Sequence, residues 1–246
     1  MELQISVNLK YKLMRQILLL ITIFISNLTI AQIKEGVIMY KQTTYTDIES
    51  LPQNMQANIP KSNETMMELT FKDGKSIYRK DPNIKEEIND DMPRWVRRMR
   101  QQDNKTTYRD YKKSETLEQV NFFGKDFLIN DTIVKQPWKV IAAEQKIILG
   151  MMCMKAIYKD SVNNLVVYFT PQIPISVGPD LYGGLPGVIM EIQSEKLHII
   201  ATEFKKEPIA DTIKPPDNGS KYIRKEFDKM REEKIKEQRE MWGGRK

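Results

Sequence analysis

The chain has 246 residues, 39 Lys and Arg against 33 Asp and Glu, a single His, a single Cys and a formal net charge of +6. One cysteine excludes an internal disulfide, so the fold must rest on its core, and the length is enough for a single domain with a real one. Acidic and basic residues are interspersed, a balance that suits solubility and attraction to anionic surfaces and gives no footprint of nucleic-acid binding.

In chain order the first segment is a leader. Lys10, Lys12 and Arg15 precede an apolar run from Ile17 to Ile25, and Thr29 and Ala31 hold the −3 and −1 positions of a cleavage before Gln32. That order of basic, apolar and small regions predicts a Sec-type signal peptide over residues 1–31 and a periplasmic or extracellular mature protein. A retained anchor is the competing reading, but the run is short for a bilayer, which takes about 20 apolar residues. Gln32 and not a cysteine stands directly after the site, so no lipoprotein anchor is expected. Loss of Lys10, Lys12, Arg15 and Glu2 leaves a net charge of +4.

Strands dominate the mature chain. Residues 36–45 are β-branched and aromatic, and Asp73-Gly74 lies between two strand patterns in 68–78, a hairpin signal. Further strands are expected at 105–111, 115–121, 125–129, 138–140, 151–158, 165–170, 188–193 and 198–204. Short strands at regular spacing predict an α+β, mostly β fold: one large curved antiparallel sheet, a half-barrel-like meander. Helix signals occur twice. Residues 90–100 start with acidic residues and Pro93, and place Met92, Trp95, Val96 and Met99 at i, i+3, i+4, i+7, an amphipathic helix suited to packing on the sheet or acting as a lid over a ligand. A second helix is expected from near Ser220, with Ile223, Phe227 and Met230 as its stripe. The domain plan is thus a β domain over 32–210 and a charged, partly helical tail over 211–246.

Between two of the strands, residues 171–187 hold four prolines (Pro171, Pro174, Pro179, Pro186) and four glycines (Gly178, Gly183, Gly184, Gly187), 8 of 17 residues against 15 of the other 229. Proline fixes φ and glycine permits φ > 0, so this is a loop held to one specified path, with Gly184 or Gly187 expected at positive φ. Its apolar residues, Leu185 among them, argue against disorder. The run Gly184-Leu185-Pro186-Gly187-Val188-Ile189, with Tyr168 to Ile175, Gly178-Pro179 and Cys153-Met154-Lys155-Ala156 upstream, resembles the GLPGLI family of exported proteins of Gram-negative bacteria, Val188 standing where the family name has Leu. The likeness runs from Lys34 to Pro208. It implies export and brings no activity, cofactor or catalytic residue with it.

The residues with chemistry each have an ordinary explanation. Met151-Met152-Cys153-Met154 contains soft copper(I)-type ligands, but on a strand Met152 and Met154 face one side and Met151 and Cys153 the other, so packing is the better reading. His198 shares a predicted strand face with Ile200 and Phe204, which suits a satisfied, half-buried histidine. Asp90 and Asp91 suit a helix start better than calcium. Glu86, Glu87, Asp90 and Asp91 beside Arg94, Arg97, Arg98 and Arg100 suit a solvated face, with a docking surface as the alternative. No nucleophile and base pair is visible, no metal site and no cofactor are expected, and the favoured function is binding: an apolar ligand or partner segment held on the curved sheet, with the Pro/Gly loop shaping the mouth. The alternatives are an accessory subunit of an outer-membrane assembly and an enzyme of unknown chemistry.

Overall fold

The computed structural model describes residues 14–16, 33–49, 59–84, 105–159 and 164–243. The chain divides into two units, Met1–Gln32 and Ile33–Lys246. The predicted helix with Met92, Trp95, Val96 and Met99, and the acidic and basic residues around it, lie outside the described residues. Within the second unit the described strands are β1 (Glu35–Tyr45), β2 (Ser62–Lys72), β3 (Lys75–Lys80), β4 (Thr106–Asp110), β5 (Glu115–Phe122), β6 (Lys125–Thr132), β7 (Lys139–Ile148), β8 (Met151–Lys159), β9 (Asn164–Thr170), β10 (Val188–Gln193), β11 (Leu197–Lys205) and β12 (Ser220–Ile223), after which comes helix α1 (Arg224–Gly243).

They form one sheet in the order β12-β6-β5-β4-β3-β2-β1-β11-β10-β9-β8-β7. Two meanders, β1 to β6 and β7 to β11, run outward from the β1–β11 pairing, and every neighbouring pair is antiparallel except β12 on β6, which is parallel. Strands β6 and β7 lie ten places apart in the sheet, about 48 Å if it were flat. Only residues 133–138 join them, and that stretch reaches at most about 25 Å. The sheet therefore curls until its two ends approach, which gives it an inward face.

Cross-strand register defines that face. One row runs Phe204, Ile38, Leu69, Tyr78, Thr107, Glu118, Ile129 and Tyr222, and the next runs Gly36, Phe71, Ser76, Arg109, Thr116 and Asp131. Both are apolar at the β1–β2 side and polar in the middle, at β4 and β5. The apolar part continues through Ile199, Ile192, Val167 and Ala156 and is closed by Ile173, Val177 and Leu185 of the Pro/Gly loop, all buried. Near β6, Phe227 of α1 packs on Phe127 and Ile129, with Tyr222, Phe122, Val120 and Met230 around them.

Turn chemistry fixes the register of three hairpins in the same way. Asp73-Gly74 (φ 52° and 79°), Phe123-Gly124 (52° and 77°) and Leu149-Gly150 (51° and 74°) all place two left-handed residues in a two-residue turn, the type I′ arrangement whose twist matches the strands. One predicted face is not kept. A register shift at Met39/Tyr40 sets Phe204 opposite Ile38 while His198 and Ile200 lie opposite Thr43 and Lys41, because an extra residue in a strand reverses its alternation.

Candidate functional site

The Pro/Gly loop is a cover, and its backbone reflects that. Ile175 and Val177 donate to the carbonyls two residues back, Ile173 and Ile175, each at 2.8 Å, and Val188 and Ile189 donate to Ile173 and Val177 at 3.1 Å, so the loop lies along the start of β10. Gly178, Pro179, Gly183, Leu185 and Gly187 are buried, whereas Pro171, Pro174, Gly184 and Pro186 are exposed. Gly184 has φ 85° and Gly187 φ 156°, the left-handed region expected for this loop. Gly178 and Gly183 answer a second requirement, close approach: a Cβ on Gly183 would stand 2.9 Å from Arg109 Nη1, and one on Gly178 2.9 Å from the Tyr182 carbonyl.

The tip of the loop, residues 180–183, meets the polar middle of the inward face. Asp180 accepts from Thr107 Oγ1 at 2.7 Å and pairs with Lys105 at 2.7 Å. Lys105 also pairs with Glu118 at 2.7 Å, and Glu118 pairs with Arg224 of α1, so this buried carboxylate joins the loop's ion pairs to the helix. Arg224 lies 3.8 Å from both Asp131 and Asp228. The backbone of the tip is gripped as well: Arg109 Nη1 donates to the Tyr182 carbonyl at 2.8 Å and Trp138 Nε1 to that of Gly183 at 2.8 Å. Gln136 donates to Leu181 O at 3.1 Å and accepts from Gly183 N at 3.2 Å. Gln136 and Trp138 belong to the connection that brings β6 and β7 together, so the curl of the sheet and the seating of the loop depend on the same residues.

A second polar cluster surrounds Glu191, two residues after Ile189 and buried. Its carboxylate accepts from Gln193 at 2.6 Å, lies 2.9 Å from His198 Nε2 and pairs with Lys146, whose ammonium is 4.1 Å from the centre of the Tyr168 ring. Burial and the Lys146 and Lys41 ammonium groups push the His198 pKa down. His198 is thus half-buried and partnered. Burial pushes the Cys153 thiol up to about 11, away from the thiolate a nucleophile needs. Among the described residues, no three His, Cys, Asp or Glu side chains come together as a metal would require.

Arg109, Glu118 and Glu191 were not legible as site residues in the sequence. Their one signal is position: a charged side chain at an inward or mid-strand place, as Glu191 stands inside Val-Ile-Met-Glu-Ile.

Residues 160–191 match the profile of a family described as a protein of unknown function (Porph_ging), a match over the loop and its flanking strands. Comparison with curated proteins gives no match. Among solved structures the chain is similar to PNGF-II in two crystal forms, at 16% identity with TM-score 0.55 and at 15% with TM-score 0.52. Each likeness covers 80% of this chain and a third or less, 33% and 32%, of the PNGF-II chain. At that identity the likeness is one of fold.

Proposed function

We propose that this chain is an exported, non-catalytic cell-envelope protein of the GLPGLI type that binds a partner polypeptide by strand addition at β7. The observation that carries this reading is the sheet edge. Strand β7 runs for 10 residues and, among the described residues, pairs on one side only, with β8, through Lys139–Ile141 and Gln145–Ile148 on either side of a register shift, with Val140 and Ile147 exposed on it and Leu149 and Met152 exposed beside it. A free edge offers unpaired N–H and C=O groups that a partner segment satisfies, while flanking apolar side chains give the contact specificity.

The inward face is occupied by the chain's own loop and helix, which favours docking at the edge over an apolar ligand inside the curve. Residues 1–31 carry the leader pattern, in support of release into the periplasm or beyond. No helix among the described residues is long and apolar enough to cross a membrane. In PNGF-II the similar part is about a third of a longer chain, which favours a module that works against other protein parts. An accessory role in an outer-membrane assembly is therefore the second reading.

The test is photo-crosslinking in the source cell from a benzophenone side chain at Val140 or Ile147, with Val134, 67% exposed and off the strand, as control. Strand addition yields a discrete polypeptide adduct from the β7 positions that fades when the unmodified protein is co-expressed as a competitor. Diffuse adducts, none at all, or the same adduct from position 134 sink the reading. A hydrophobic small molecule retained in native mass spectrometry of envelope-purified protein would restore the ligand-carrier alternative.

A further inference from the structure

The Arg109 guanidinium is 2% exposed on the inward face of β4, and its register partners on either side, Ser76 of β3 and Thr116 of β5, are each 2% exposed as well. Nη1 donates to the Tyr182 carbonyl at 2.8 Å, and the group lies 5.1 Å from the centre of the Tyr111 ring. No carboxylate among the described residues pairs with it. The carboxylates around this part of the face are engaged elsewhere, Asp180 of the loop with Lys105 and Thr107, Glu118 with Lys105 and Arg224, and Asp131 with Arg224 at 3.8 Å. Nε is buried without an acceptor, and among the described residues Nη2 has none either.

The two nitrogens left over belong together. Nε–H and Nη2–H point the same way and form the side-on fork of a guanidinium, the pair that meets both oxygens of a carboxylate or phosphate, whereas Nη1, used for the loop, lies on the other side. A guanidinium removed from water with no opposite charge is costly, and far less so when an oxyanion fills the fork. Cross-strand partners stand about 5 Å apart at Cβ, so Ser76 and Thr116 set a hydroxyl on each side of the Arg109 side chain on the inward face. The Ser76 hydroxyl donates to that of Tyr111 at 3.5 Å, which leaves the Tyr111 O–H as a further donor at that end.

We propose that the inward face holds a small oxyanion, the carboxylate or phosphate group of a ligand, in the Nε/Nη2 fork of Arg109 with the Ser76 and Thr116 hydroxyls as further donors. The site goes beyond strand addition at β7 and stands or falls separately from it, since β4 and β7 are eight places apart in the sheet order.

The experiment tracks the Arg109 Nε–H resonance of the full chain, assigned by its disappearance in Arg109→Lys, during titration with inorganic phosphate and with sodium acetate, against sodium chloride at matched ionic strength. A saturable downfield shift with phosphate or acetate but not chloride is expected, and the anion that produces it at the lower concentration identifies the ligand's head group. Ser76→Ala with Thr116→Val should weaken the response roughly tenfold, the effect of about 1.4 kcal/mol in lost donors. If Arg109→Lys does not fold, a guanidinium assignment through bonds to the Arg109 backbone replaces it. A resonance that neither anion moves, or that chloride moves equally, leaves Arg109 as a tether for the loop and overturns the site.

Discussion

A methyl group on Gly187 has no space and no allowed backbone. Its Cβ would stand 2.1 Å from the Thr170 carbonyl oxygen, at φ 156°. Gly184 has φ 85° but open space around its Cβ position. Gly184→Ala should therefore cost about 1 kcal/mol through the backbone alone, and Gly187→Ala roughly 2 kcal/mol or more because the strand must also move. Urea denaturation of both variants checks the order, and equal midpoints for the two would contradict it. Cys153 supplies a pH dependence. Its folded pKa of about 11 reflects burial, with a backbone hydrogen bond near Ile148 and the Lys146 charge opposing, whereas an unfolded thiol titrates near ~8.5. A raised folded pKa gives stability that is complete below the unfolded value and is lost as pH rises through the folded one. Stability should thus fall between pH ~8.5 and about 11 more steeply in the parent than in Cys153→Ala. Parallel pH profiles for the two proteins would show that the thiol does not titrate as described.

At the scale of elements, most strands were legible because alternation and β-branched residues mark them, and where that signal faded so did the boundaries. Strand β7 was expected only over 138–140 yet runs Lys139–Ile148, since Ala142-Ala143-Glu144 has no β signature and is the stretch where the register with β8 shifts, pairing resuming from Gln145 to Ile148. Strand β12 was missed for the same reason: Ser-Lys-Tyr-Ile is too short to show a period. Asp73-Gly74 announced its hairpin, but Phe123-Gly124 and Leu149-Gly150 make the same turn with residues that rarely take positive φ. The inward polar middle was illegible because Arg109 and Glu118 read locally as solvent-facing charges, and only the sheet order brings the loop and α1 over them. The turn at Leu149 offers a stabilising change. Leu149 is exposed at φ 51°, and Asn tolerates that conformation far better than Leu. Leu149→Asn should raise stability by about 0.5 kcal/mol. A lower melting temperature would mean that the Leu149 side chain has contacts that outweigh its backbone strain.

For the whole molecule, the segment after residue 210 connects the two parts of the inward face. Strand β12 pairs with β6 from Phe127 to Asn130, the buried cluster of Phe127, Ile129 and Phe227 forms only when α1 is in place, and Arg224 supplies one of the two cations on Glu118. A chain ending at Ala210 loses all three at once. Exposure of the cluster removes several kcal/mol, at roughly 1.5–3 for each large apolar side chain. It also leaves the edge of β6 bare beside Phe127, the arrangement that invites edge-to-edge association. The shortened chain is thus expected to melt well below the parent and to run as aggregates in size-exclusion chromatography, whereas Phe227→Ala in the full chain, which keeps β12 over that edge, should lose stability but remain monodisperse. A monodisperse shortened chain with the parent's melting temperature would mean that β12 and α1 are appended to a sheet already complete at β6.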